Sequence, residues 1–176
     1  MLNVKIHLIG MPGSGKTTLG RGLAVAYEVP FLDLDEELVR QEGRSIPAIF
    51  EAEGEAYFRE REAAVLRDVA ARYPQMVLAT GGGTPCFHNN LAVLLETGLT
   101  LYLDVPVATL VSRVVAVAKS RPLLAALPDA AALEARLRET LQVRKQFYEQ
   151  APLRCEASTC TVAAVRQLVA RYQTSA

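Results

Sequence analysis

The segment Gly10-Met11-Pro12-Gly13-Ser14-Gly15-Lys16-Thr17 constrains this chain more than any other, because it joins a short apolar β-rich run to a run with helical apolar spacing. Its glycines let the backbone turn so that successive N–H groups point at one spot. The helix after it adds its positive N-terminal end, and together they make a cradle for phosphate oxygens. In the pattern G-x-x-x-x-G-K-T the lysine, Lys16, reaches the β- and γ-phosphates of a nucleoside triphosphate, and the hydroxyl of Thr17 supplies a ligand for Mg²⁺. Motors, switches, ATPases and small-molecule kinases share such a loop, so the rest of the chain has to decide between them.

Short β-rich runs alternate with longer segments whose apolar residues recur three and four apart. That alternation predicts a parallel sheet covered by helices on both faces. We expect strands at 4–9, 30–34, 76–79, 99–104 and 153–156. Helices are expected at 16–27, 36–41, 47–53, 55–72, 91–97, 107–117, 133–150 and 161–172. Ser45 before Ile46-Pro47 is a plausible N-cap, and Gly43, Gly54 and Gly98 stand where helices should stop or restart. The 176 residues suit a single domain, 1–176, with an ordinary globular composition of 51% hydrophobic and 22% charged residues. Segment 118–128, AKSRPLLAALP, has little periodicity of its own and reads as a surface connection or as a mobile lid over a ligand.

Nineteen basic against nineteen acidic residues give no electrostatic reason to expect nucleic acid or an anionic membrane as partner. No apolar stretch approaches the ~20 residues of a membrane span, and the first ten residues lack the pattern of a signal peptide. Cys86, Cys155 and Cys160 have no metal-ligand spacing and their odd number makes a poor disulfide framework, so we expect unpaired thiols and a cytoplasmic chain. Cys155 and Cys160 read as small buried hydrophobes, whereas Cys86 comes after a glycine run where function is expected.

Strand alternation in Val29-Pro30-Phe31-Leu32-Asp33-Leu34-Asp35 puts Phe31, Asp33 and Asp35 on one face, with the two carboxylates roughly 7 Å apart at the strand's end. In an open parallel sheet that end faces the ligand crevice. One acid could hold Mg²⁺ and the other orient an attacking hydroxyl or accept its proton, or Asp35 could merely cap the next helix. Arg59 and Glu62, three apart on a helix, can pair so that the acid holds the guanidinium, although two arginines on one helix are more often solvated. Thr80-Gly81-Gly82-Gly83 strips side chains from the end of strand 76–79, so that a ligand could lie against bare backbone; the alternative is a flexible turn. Asp104 could pass for a nucleotide-site acid but more simply closes a strand before Pro106. His7 reads as an interior or edge histidine and His88 as a surface loop residue.

Six blocks in order, GMPGSGKTT, FLDLD, IPAIFEAEGEAYFRE, ATGGG, SRPLL and RKQFYEQAP, resemble the shikimate kinase family of the nucleoside monophosphate kinase structural group, along nearly the whole chain. The resemblance implies a three-layer α/β/α P-loop NTPase-type fold with a five-stranded parallel sheet and a mobile lid at about 118–129. It implies transfer of the γ-phosphoryl of ATP to the 3-hydroxyl of shikimate. ATP would be bound by Gly13, Ser14, Gly15, Lys16, Thr17, Thr18, Arg113 and Arg121, and shikimate by Asp35, Arg59, Gly81, Gly82, Gly83 and Arg144. The shikimate-binding segment would be about 35–62. Thr17 and Asp33 would serve Mg²⁺, and Lys16, Asp35 and Arg121 would carry the chemistry. No coiled coil or obvious apolar edge in the sequence argues against a monomer, which is the expected state. Planar guanidinium forks suit a carboxylate and Asp35 suits vicinal hydroxyls. After the glycines, Thr84-Pro85-Cys86-Phe87-His88-Asn89-Asn90 departs from the small apolar continuation of many relatives. Two rivals stand: a kinase of gluconate or another polyol acid, and a nucleotide-binding regulatory module without chemistry.

Overall fold

The computed structural model describes residues 4–119, 129–156 and 159–175. Five short runs, β1 (Lys5–Ile9), β2 (Phe31–Asp33), β3 (Met76–Ala79), β4 (Leu99–Asp104) and β5 (Leu153–Glu156), pair in parallel in the order β2-β3-β1-β4-β5. The register aligns Asp33 with Ala79 and Asp104 with Glu156, so the strands' carboxyl ends share one edge. Helices on both faces explain why β3 is buried at every position.

Strand alternation sorts the core into two layers. Ile6, Leu8, Val77, Leu101 and Leu103 meet Leu19 and Leu23 of α1 (Lys16–Tyr27) and Val165 and Val169 of α7 (Val162–Ser175). Ile9, Met76, Leu78 and Tyr102 face the other way. They pack on α2 (Leu34–Glu42), α3 (Ile46–Arg72), α4 (Asn90–Thr97), α5 (Val107–Lys119) and α6 (Ala130–Tyr148). The three-layer arrangement is the expected one.

Local chemistry sets the helix ends. Ser45 accepts a hydrogen bond from the Ala48 N–H, and α2 stops at Gly43 with φ 67°. Within α3, Gly54 leaves the helix at φ 80°, ψ 179°, which reproduces the expected break between 47–53 and 55–72.

Three expectations need correction or limits. The strand through FLDLD ends at Asp33, not Leu34, and Asp33 caps α2 by accepting from the Asp35 N–H at 3.1 Å. With Asp35, Glu36 and Glu37 in its first turn, the segment gains more from helix capping and dipole than from one more strand residue. Asp35 therefore leaves from a helix turn rather than from the strand face shared with Asp33. Cys155 and Cys160, expected unpaired, form a disulfide across the β5–α7 turn with Cα atoms 5.3 Å apart. That turn is also closed by the Thr159 N–H donating to Glu156 O. The pairing withdraws the cysteine-based reason for expecting a reducing compartment. Residues 120–128 of the expected lid, Arg121 among them, lie outside the described residues.

Candidate active site

The phosphate loop leaves the central strand β1 at the common carboxyl edge. A Cβ on Gly10, at φ 140°, would stand 2.7 Å from Leu103 O, so only glycine allows the loop to lie against β4. Gly15, left-handed at φ 100°, hands the chain into α1, and the Ser14 N–H donates to Met11 O at 3.1 Å. Arg113 on α5 donates to Gly13 O and Ser14 O at 3.0 and 2.9 Å, bracing the loop from outside. Thr18 is exposed on the first turn of α1.

Lys16 is buried and its ammonium donates to Gly10 O and Met11 O, both at 2.9 Å, and to Ser14 Oγ at 3.4 Å. Burial pulls its pKa down to about 8, against the raising influence of Asp35 and Asp33 and with a further lowering by Arg144. Asp33 turns one oxygen to the Thr17 hydroxyl at 3.1 Å and the other to the α2 cap. This pair of hard oxygens fits a small divalent cation. Among the described residues no group of three or more His, Cys, Asp or Glu could hold a metal, so a cation here would complete its shell from phosphate and water.

The acceptor side gathers around the glycine run after β3. A Cβ on Gly81 would lie 3.0 Å from Thr84 Oγ1, 3.1 Å from Glu62 Oε1 and 3.3 Å from Asp35 Oδ1. Burial, then the neighbouring Asp33 and Glu62 carboxylates, push the Asp35 pKa up to about 6, while Lys16 and Arg59 pull it back. Glu62, 1% exposed, accepts from the Thr84 hydroxyl at 2.6 Å and from Arg59 Nη1 at 3.0 Å. Arg59 also bonds Glu55 through Nε and Nη2, so the expected Arg59–Glu62 pair forms and has a second acid beside it.

Arg144 projects from α6 onto the same wall, since a Cβ on Gly82 would come within 3.0 Å of its Nη1 and 2.6 Å of Pro12 Cδ. Tyr148, one helical turn further on, donates to Gly82 O at 2.5 Å and stacks on Tyr102 with ring centroids 5.1 Å apart. Burial pushes its phenol up to about 12, so it stays a donor at neutral pH, with Arg144 opposing the shift. The sequence pattern RKQFYEQAP contains Tyr148 but gives it no role. Its spacing of four from Arg144 on one helix is the signal that could have found it.

The departing segment 84–90 is well tied down. Thr84–Cys86 forms a 3₁₀ turn, Asn90 Nδ2 donates to Thr84 O at 3.0 Å, and Arg67 donates to His88 O at 2.7 Å and Asn90 Oδ1 at 3.0 Å. His88 is exposed, as expected, while His7 is fully buried with Nδ1 donating to Leu94 O at 2.9 Å. Asp104 closes β4 and pairs with Arg154 and Tyr102 at its own strand end.

A phosphate loop at the centre of this strand order, with a carboxylate and two guanidinium groups converging beside it, defines a P-loop kinase of the nucleoside monophosphate kinase type. The sequence pattern of the shikimate kinase family matches residues 12–173. A shikimate kinase of Bordetella pertussis is 44% identical over 148 residues, covering 84% of this chain and 67% of that protein. The crystal structure of shikimate kinase from Bacteroides thetaiotaomicron superposes with a TM-score of 0.84 at 31% identity, covering 97% of this chain and 98% of that one. Shikimate kinase from Acinetobacter baumannii, solved in complex with shikimate, gives 0.79 at 36% identity, covering 97% and 92%. The chain belongs to the shikimate kinase family. A gluconokinase from Sinorhizobium meliloti, with a TM-score of 0.58 at 16% identity, shares the fold alone.

Proposed function

We propose that this chain is a Mg²⁺-dependent kinase that moves the γ-phosphoryl of ATP onto the 3-hydroxyl of shikimate, acting as a cytoplasmic monomer with residues 1–176 as one kinase domain. The observation that carries the reading is the convergence of Asp35, Arg59 and Arg144 on the bare backbone of Gly81–Gly83, beside a buried Lys16. Shikimate combines a carboxylate with vicinal hydroxyls, and this set offers two planar cations and one acid. All of these groups come from one chain, which supports a site complete without a second copy.

Arg59 and Arg144 hold the carboxylate and thereby fix the ring. Asp35 accepts hydrogen bonds from the hydroxyls and takes the proton of the one that attacks, in line, the terminal phosphorus. The loop N–H groups from Gly13 to Thr18 and the start of α1 receive the phosphates, and Lys16 exchanges its carbonyl partners for phosphate oxygens as charge spreads in a loose transition state. Arg113 borders the nucleotide beyond the loop, and Arg121 would fold over it. Thr17 and Asp33 would hold Mg²⁺, which neutralises phosphate charge when bound. The glycine wall lets the acceptor ring lie against bare backbone, and closure of the lid would exclude competing water.

The test is ADP release measured separately with shikimate, gluconate and nucleoside monophosphates. Turnover should require shikimate; preference for either alternative would overturn the assignment. A pure nucleotide sensor would show no added thermal stabilisation when shikimate joins ADP, whereas a kinase should.

A further inference from the structure

The segment 84–90 places an aromatic ring where no sequence pattern asked for one. Phe87, 36% exposed, stands with its ring centroid 4.2 Å from the Arg59 guanidinium carbon, closer than Phe58 at 5.0 Å on the guanidinium's own helix. The backbone that delivers this ring is unusual. His88 and Asn89, the next two residues, are both left-handed at φ 48° and 58°, which is uncommon for consecutive non-glycine residues. The loop is held there by the Arg67 bonds to His88 O and Asn90 Oδ1, by the Asn90 N–H donating to Phe87 O at 2.9 Å, and by buried Asn90 on Thr84 O. Such a conformation persists where its surroundings over-determine it, and here it fixes the direction of one side chain.

We propose that Phe87 is a positioning residue for the acceptor carboxylate: stacking on Arg59, it sets the plane of the guanidinium. The inference rests on the acceptor assignment above. Glu62 and Glu55 engage Nη1, Nε and Nη2 of Arg59 in the plane of the fork, which controls where the edge points but leaves rotation out of that plane free. A ring 4.2 Å away removes that freedom, and its π-face keeps the cation attractive without competing for the carboxylate.

The experiment compares wild type with Phe87→Leu, which keeps apolar bulk and loses the ring, and Phe87→Tyr, which keeps the ring. Shikimate and its uncharged methyl ester serve as acceptors. Phe87→Leu should raise the KM for shikimate about five- to tenfold with kcat and the KM for ATP nearly unchanged. Phe87→Tyr should restore the KM to within about twofold, and the ester should show little difference between the three proteins. An unchanged KM in Phe87→Leu, an equal loss with the ester, or failure of Phe87→Tyr to restore would each overturn the inference. A parallel loss for both substrates with a lowered melting temperature would also overturn it, since that would mark Phe87 as structural only. A wild-type protein idle with shikimate would instead remove the acceptor assignment, and this inference with it.

Discussion

Lys16 gives its three donors to its own loop, two backbone carbonyls and a serine hydroxyl, and is almost out of contact with solvent. Nucleotide binding must redirect it, so its charge stabilises the empty loop first and the phosphates afterwards. Lys16→Met should therefore lower kcat by at least about a hundredfold, and because the carbonyls of Gly10 and Met11 that it leaves are buried, it should also lower the melting temperature while the melt stays cooperative. Near-normal turnover in a folded variant would contradict this. Glu62 is the other residue whose removal should be informative. Glu62→Gln keeps one acceptor for Thr84 or Arg59 but not both, and turns an amide N–H₂ toward a donor. Loss of a charged hydrogen bond of ~1.5–3 kcal/mol should raise the shikimate KM about ten- to a hundredfold and leave the ATP KM in place, as steady-state kinetics would show. The Arg59–Glu62 pair was legible because helical spacing alone brings i and i+3 together. For Tyr148 only its spacing from Arg144 was there to be read; its partner, Gly82 O, lies 66 positions away in sequence and only the packing of α6 on the wall brings them together. Phe87 was invisible for the same reason.

At the scale of elements, all five strands and the helices between them were readable from period and punctuation, with ends shifted by a few residues. The main error was instructive. FLDLD has strand alternation, but an aspartate with three acids in the next turn is also a helix start, and capping prevailed over one further ladder residue. A local pattern consistent with two structures is settled by the residues on its C-terminal side. The cysteine pair was missed because a five-residue spacing says nothing about whether a turn folds back on itself. Gly54, by contrast, was placed correctly and has a physical reason: it interrupts α3 at φ 80° with open space around its α-carbon. Gly54→Ala should meet no clash with other residues and still cost about 1–3 kcal/mol, because φ 80°, ψ 179° is a conformation that essentially only glycine adopts, lowering the melting temperature by at least about 3 °C. Differential scanning calorimetry would decide, and a stabilised variant would mean that the break is not required by the fold.

For the whole molecule, acid sensitivity should have a source far from the site. His7 is fully buried on the central strand, and burial above all, aided by the Lys5 charge and opposed by its bond to Leu94, drives its pKa down to about 4. Because the folded value lies below the unfolded one, the unfolded chain takes up the proton first on acidification. The stability is complete above about pH 6.5 and falls as pH drops toward 4, by on the order of 3 kcal/mol. Asp35, raised to about 6, works in the opposite direction over much of that range. The histidine's share is therefore the stability gap between wild type and His7→Asn in urea melts, which should narrow from pH 7 to 4; a constant gap would refute the assignment. Strand order has a different consequence. Gly10 rests on Leu103, and Arg113 braces Gly13 across a separation of 100 positions. During translation the nucleotide grip thus leaves the ribosome well before Leu103 and Arg113, which fix its shape, have been made. A nascent chain stalled before β4 would carry every residue of the motif and still have no affinity for ATP.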